Sequence, residues 1–136
     1  MSGSGRGTRR PISILIVDDS STMRAMLKRV VELSGIEVAA VHEAADGNEA
    51  IAVLEREPVD ALFTDINMPG MSGIDLLRRL ARDERWSHLL RVVISTDGSA
   101  SRRAEAGGLD VRLYLEKPLR PEVMRDVLAG IAAAHA

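Results

Sequence analysis

Four short apolar runs in this chain each end in residues able to handle charge. Ile14-Leu15-Ile16-Val17 leads into Asp18-Asp19, and Ala61-Leu62-Phe63-Thr64 into Asp65. Val92-Val93-Ile94 leads into Ser95-Thr96, and Leu113-Tyr114-Leu115-Glu116 into Lys117-Pro118. The adjacent carboxylates of Asp18 and Asp19 repel each other, and neither stays buried and charged without a counter-ion. A hard cation with oxygen ligands relieves this. Magnesium is the natural choice, because it keeps several waters and needs only one or two carboxylates. A solvated Asp-Asp turn that caps the following helix is the simpler alternative. Asp65 precedes a loop with Pro69, Gly70 and Gly73. Beside a bound cation its carboxylate is a possible nucleophile toward phosphorus, forming an acyl phosphate; alone, it also reads as a strand-end Asp bonding its own loop. Lys117 can neutralise phosphate oxygens as a point charge, and Ser95 can offer a hydroxyl donor. Each again has a plain alternative, an exposed strand-end lysine and a satisfied hydroxyl. The shared position is what distinguishes the set. If the four runs are parallel strands of one sheet, three carboxylates, a hydroxyl and an ammonium meet along the edge where open α/β sheets bind ligands.

The elements needed to position them can be read from periodicity. Strand-length runs lie at 12–17, 38–43, 61–64, 91–95 and 113–116; the first and fourth are almost continuously apolar, as suits strands buried on both faces. Between them, Met23, Met26, Leu27, Val30 and Val31 share one helical face, and Ile51 and Leu54 a second. Ile74, Leu77 and Ala81 share a third, and Met124, Val127, Leu128 and Ile131 a fourth. Ser20 or Ser21 suits the N-cap of the first helix, Asp46 with Glu49 forms a capping-box-like pair, and Pro121 suits a first helical turn. The stretch 99–109 has adjacent Gly107 and Gly108 and almost no large apolar residue, so a helix there is short or marginal. This β-α alternation predicts a parallel sheet covered by helices on both faces, with right-handed crossovers. One domain is expected over residues 11–136, after a flexible N-terminal arm at 1–10.

Composition narrows the function. The chain has 136 residues, 46% of them hydrophobic, which suits one domain with a real core and not a disordered chain. Phe63, Trp86 and Tyr114 are the only aromatics, so an aliphatic core is expected. A net charge of -2 gives no sign of a general nucleic-acid binder, and the basic stretches lack aromatics for base stacking. The chain has no cysteine, which removes disulfides, thiol chemistry and zinc-thiolate sites and fits a cytoplasmic location. The apolar runs are too short to span a bilayer, and residues 1–10 have no apolar stretch that would make a secretory signal.

Three segments carry a resemblance. Ile-Val-Asp-Asp-Ser-Ser-Thr-Met-Arg (16–24), Thr-Asp-Ile-Asn-Met-Pro-Gly-Met-Ser-Gly (64–73) and Tyr-Leu-Glu-Lys-Pro (114–118) resemble the receiver domain of bacterial response regulators. The resemblance is strongest to the stand-alone chemotaxis-type (CheY-like) form. It covers about residues 12–134, and order and spacing match as well as residue type. It implies the flavodoxin-like (βα)5 fold, a doubly wound parallel sheet with strand order 2-1-3-4-5. It implies Asp65 as phosphoacceptor and magnesium bound by Asp19 directly, Asp18 through water, and the backbone carbonyl of Asn67. Lys117 would contact the phosphoryl group. Ser95, 30 residues after Asp65 and 22 before Lys117, would be the switch hydroxyl, with Thr96 as its rival. Tyr114 would be the switch aromatic, and the Lys117-Pro118 bond would be cis. Asn67 and Asp97 would flank the path of attacking water and give a short-lived phosphorylated state. Asp97 as a mere cap of the fourth helix is the alternative.

The implied function is a phosphoryl-accepting switch. It would be charged by a histidine kinase or phosphotransfer protein and read by a protein target at the fourth helix, fifth strand and fifth helix. It would act as no enzyme beyond its own phosphorylation and dephosphorylation, and would have no nucleic-acid or membrane partner. The end of the sequence at Ala136 carries the expectation of no DNA-binding output domain. A phosphorelay intermediate is the variant of this reading. An Asp-nucleophile phosphatase would need a substrate cap and an acid-base Asp two residues after the nucleophile, where Asn67 stands. A nucleotide- or flavin-binding module would need a Gly-rich or Ser/Thr-rich loop where Asp18-Asp19 stand. Four features depart from the family pattern. The segment near Gly35–Val41 is about two residues longer than the family pattern, the fourth helix is eroded, Leu119 replaces a common aromatic, and Thr96 is bulkier than the usual neighbour of the switch hydroxyl.

Overall fold

The computed structural model describes residues 11–134, so the expectation of a flexible arm at 1–10 lies outside the described residues. Five strands form one sheet: β1 (Ile12–Val17), β2 (Val38–Ala44), β3 (Ala61–Thr64), β4 (Leu90–Ser95) and β5 (Leu113–Glu116). All pairs are parallel and the order is β2-β1-β3-β4-β5, the flavodoxin-like order. The helices are α1 (Ser21–Leu33), α2 (Gly47–Arg56), α3 (Gly73–Ala81), α4 (Ala100–Gly107) and α5 (Pro121–Ala134), with a 3-10 turn at Glu84–Trp86.

Side-chain alternation along each strand divides the core in two. Ile12, Ile14 and Ile16 of β1, Phe63 of β3 and Ile94 of β4 face α1 and α5. Leu15, Val17, Leu62 and Val93 face α2 and α3 on the other side. Every residue of β1 and β3 is buried, as central parallel strands require.

The helix starts obey their caps. Ser20, not Ser21, accepts the Met23 amide at α1. Asp46 accepts the Glu49 amide at α2, while Glu49 reaches back to the amide of Ala45. The periodic faces are mostly buried, with two exceptions. Met26 is 51% exposed, and Ala81 is exposed while Leu76 and Leu80 join Ile74 and Leu77 in the core. α4 is eight residues long and buries only Ala106, the short helix its composition predicted. The core is aliphatic except for Phe63 and Trp86, both buried. The Trp86 turn has too few residues to give a periodic signal.

Because all five strands run the same way, the C-terminal ends of β1, β3, β4 and β5 lie together at one edge of the sheet. Arg91 organises the other edge. Its side chain is 3% exposed, and its guanidinium donates to the carbonyls of Leu89, Leu80 and Trp86. It thereby closes the C-terminal end of α3 and the 3-10 turn.

Candidate functional site

Three strand ends converge directly. The Lys117 ammonium lies 2.7 Å from Asp18 Oδ2 and 2.9 Å from Asp65 Oδ2. Carboxylate oxygens of Asp18, Asp19 and Asp65 all fall within 4.8 Å of one another. Asp18 is held rigidly. The Ser20 amide donates to its Oδ1 at 2.9 Å, Arg24 donates to its backbone carbonyl at 2.7 Å, and its own amide bonds Ala44 of the neighbouring strand. Asp19 is exposed, so one carboxylate of the pair is buried and the other faces outward.

Asp65 is oriented by its own loop. The amides of Ile66 and Asn67 donate to Oδ1 at 2.6 and 3.4 Å, which turns Oδ2 toward Lys117. This is the strand-end loop bonding that the residue alone allowed, and it coexists with the convergence on Asp18 and Lys117. The loop after Asp65 is drawn tight against the sheet. Gly73 donates to Ile66, and a Cβ at Gly73 would overlap the Asp65 carbonyl, so only glycine fits there. Met71 packs on Gly47 and its carbonyl accepts the Gly47 amide, anchoring the loop to α2.

The electrostatics follow from the charge count. Three carboxylates meet one ammonium. Burial alone pushes the Lys117 ammonium down, but its hydrogen bonds to Asp18 and Asp65 and their charges outweigh that, so it stays protonated with a pKa above the ordinary lysine value. Lys117 and Asp65 side chains are 10% and 13% exposed and Asp18 only 3%, so the excess negative charge is poorly screened. An all-oxygen donor set carrying excess negative charge fits a hard divalent cation.

The strand end of β4 brings Ser95 and Thr96 to the same edge in different surroundings. Ser95 is fully buried, and its Oγ accepts the Asp97 amide at 3.1 Å. Thr96 is exposed and lines an apolar hollow of about 320 Å³ with Met23, Met26, Lys117, Pro118 and Leu119. Ser99, not Asp97, is the N-cap of α4. The Asp97 carboxylate is held below the usual carboxylate range by hydrogen bonds from Ser99, aided by Arg102 and the Asn67 side chain. Asn67 is exposed on the loop after β3, and Asp97 is half-buried on the loop after β4. Tyr114 is half-buried, and its hydroxyl donates to the Asp97 carbonyl. The Lys117-Pro118 peptide is cis.

Sequence reasoning missed Arg24, Thr64 and Gly73. Arg24 bonds both Asp18 and Glu43, and Thr64 Oγ1 donates to the Asp65 carbonyl. All three stand inside the quoted motifs, but their partners lie on other segments or in the backbone, where spacing gives no signal.

The sequence profile of the response regulator receiver domain matches residues 14–129. The chain belongs to the response regulator receiver family. Among its relatives, the chemotaxis protein CheY of Pseudomonas aeruginosa is 39% identical over 120 residues, covering 88% of this chain and 95% of that protein. CheY1 of Helicobacter pylori is 36% identical over 125 residues, covering 91% and 99%. Solved structures agree. CheY4 of Vibrio cholerae superposes with TM-score 0.77 at 27% identity, covering 90% of this chain and 99% of that one. The receiver domain of AraT from Geobacillus stearothermophilus superposes with TM-score 0.76 at 31% identity, covering 92% and 95%. The protein is thus a CheY-like, phosphoryl-accepting response regulator, a signalling protein of the two-component class. No helix among the described residues is long and apolar enough to cross a membrane.

Proposed function

We propose that this receiver accepts its phosphoryl group on Asp65 Oδ2, from the phosphohistidine of a histidine kinase or phosphotransfer protein. The observation that carries the assignment is the Lys117 ammonium, shared at 2.7 and 2.9 Å between Asp18 and Asp65 on one strand-end edge. Asp65 Oδ2 attacks phosphorus, the P–N bond to the donor imidazole breaks, and that nitrogen keeps the electron pair. Lys117 then shifts from the carboxylates to the phosphoryl oxygens, where a point charge is most needed. Hydrolysis reverses the charge. Water attacks phosphorus, the bond to Asp65 breaks, and the carboxylate and inorganic phosphate are released. This self-directed chemistry is the only reaction assigned to the protein.

Asp19, Asp65 and the Asn67 carbonyl would hold magnesium directly, and Asp18 through water. Bound there, the metal supplies most of the positive charge that phosphoryl transfer requires. Ser95, buried at the end of β4, is the switch hydroxyl; exposed Thr96 limits access from the side of the apolar hollow. Asn67 and Asp97 both reach the mouth with hydrogen-bonding groups and neither is bulky and apolar. Water therefore reaches the phosphorus and the phosphorylated state is short-lived.

Ser95 and Tyr114 connect the site to an output face formed by α4, β5 and α5, where a target protein binds. We place the protein in the cytoplasm, where a kinase would find it. Labelling with a small acyl-phosphate donor tests the core of this reading. Wild-type protein with magnesium gains one phosphoryl mass adduct, which does not form when a chelator is present before the donor is added. Asp65→Asn gains none, and full labelling of that variant refutes the assignment.

A further inference from the structure

One arginine of α4 makes contacts that the phosphoryl chemistry leaves unexplained. The Arg103 guanidinium lies over the Tyr114 ring, 4.7 Å from its centroid. The same group donates to the carbonyls of Gly98 and Tyr114 at 3.2 and 3.4 Å and to Glu116 Oε1 at 2.8 Å. Gly98 in turn lies close against the Glu116 carboxylate, which a Cβ at that position would have to displace. The loop after β4 and the edge strand β5 are therefore joined at two levels. Below, the Tyr114 hydroxyl bonds the Asp97 carbonyl; above, Arg103 ties Gly98 to Glu116 and covers the ring. A lone exposed Arg–Glu pair contributes little. Here the planar fork of a single guanidinium engages three acceptors on two segments while its cationic face rests on an aromatic; a lysine could keep a cation over the ring but not the three-acceptor fork.

We propose that Arg103 is a positioning residue of the switch, a clasp that holds Tyr114 in its inward place before any phosphoryl group arrives. Resting on the receiver function above, this makes the inward ring the ground state of this protein. The phosphoryl signal then travels through the loop Thr96–Ser99, which the ring and the clasp carry with them. Movement of the ring from outside to inside is not required. Arg103 also sets the resting level of output, because losing it frees the ring to turn outward in unphosphorylated protein.

Tyr114 is the only tyrosine in the chain, so selective labelling gives one probe of its ring. Full-length protein with [13Cε]-tyrosine is compared by NMR with and without magnesium and beryllofluoride, as wild type, Arg103→Met and Arg103→Lys. Wild type shows one ring correlation that beryllofluoride barely moves, while amides of residues 96–99 shift. In Arg103→Met without beryllofluoride, the outward ring population rises about two- to fivefold, the factor a surface cation–π contact supports. It appears as broadening or a second correlation. Arg103→Lys restores part of the wild-type position, which a merely structural role would not predict. The clasp is refuted if Arg103→Met superimposes on wild type, or if wild type shows two ring positions that beryllofluoride merges. Amides around Asp65 report separately on the underlying function. If they ignore beryllofluoride, the receiver reading fails, while the comparison of unliganded rings still decides the clasp.

Discussion

At the scale of single residues, the site is a problem of unequal charge. Asp18, Asp19 and Asp65 outnumber Lys117, and the imbalance is held in a nearly buried setting by amides of Ser20, Ile66 and Asn67. Removing a carboxylate should therefore weaken cation binding more than it changes folding. Asp18→Asn is expected to lower magnesium affinity by about 10–100-fold, the range seen when a metal's outer partners are removed. Titration calorimetry checks this; Trp86 fluorescence would not, since that ring is buried beside α3 and outside the acidic cluster. Unchanged affinity would remove Asp18 from the site. The mouth residues make a second prediction. Asn67→Met and Asp97→Lys should each lengthen the phosphorylated lifetime several-fold, read as phosphate release after donor removal. If neither does, water is admitted by other groups. Asp18, Asp19, Asp65 and Lys117 could be named from the sequence because each follows a strand-length apolar run, whereas the roles given to Asn67 and Asp97 rest on the family resemblance. Arg24 and Gly73 could not be named, because their roles depend on which carbonyl lies opposite.

At the scale of elements, α4 differs from its neighbours. With only Ala106 buried, it has little apolar area to offset the ordering of its backbone. Its amides should exchange fastest among the five helices, and gain or lose protection together with residues 96–99 on adding beryllofluoride and magnesium. Hydrogen exchange measures this, and α4 protection equal to α5 would contradict it. Its weakness was readable from the paired glycines and the missing apolar face. So were all five strands, from runs of strand length ending in turn residues. The 3-10 turn at Glu84–Trp86 was not, because a single turn has no periodicity and Trp86 is placed by packing alone. Ala81 misled for a related reason: it continues the helical spacing, but it is the terminal residue of α3 and is exposed, while Leu80 just before it takes the buried place. Between α1 and β2, Glu43 is bound by Lys28 and Arg24 at 3.0 Å each. The Lys28 hydrogen bond lowers its pKa most, burial opposes, and Arg24 adds to the lowering. Its folded value lies below its ordinary one, so its stabilisation is present above the ordinary value of 4.5 and is lost as pH falls through the folded value. As a surface pair it contributes no more than ~1 kcal/mol, visible as a slightly flatter acid limb in Glu43→Gln thermal melts.

Across the whole molecule, the two edges of the sheet are specialised. The C-terminal edge carries unbalanced charge, while the other edge is closed by buried Arg91, which satisfies three carbonyls from its place on β4. Burial pushes the Arg91 pKa down, with the Asp110 charge partly offsetting it. Arg91→Met would take the guanidinium donor from the Leu89, Leu80 and Trp86 carbonyls, of which the last two keep backbone amide partners, and should cost about 1–3 kcal/mol in urea denaturation, with phosphorylation of the remaining folded protein unaffected. A loss below 0.5 kcal/mol, the level of ordinary surface substitutions, would show that the edge closes without it. Such a division leaves the strand-end edge free to hold groups that do not stabilise one another. The central claim is that one carboxylate at that edge, Asp65, carries the phosphoryl group. Borohydride reduction of the acyl phosphate, followed by peptide mapping, tests it directly, because a phosphorylated aspartate is converted to homoserine. Homoserine at position 65 alone, dependent on magnesium and absent without the phosphodonor, is the predicted result. Homoserine at position 18 or 19, or phosphorylated protein with none at 65, would contradict it.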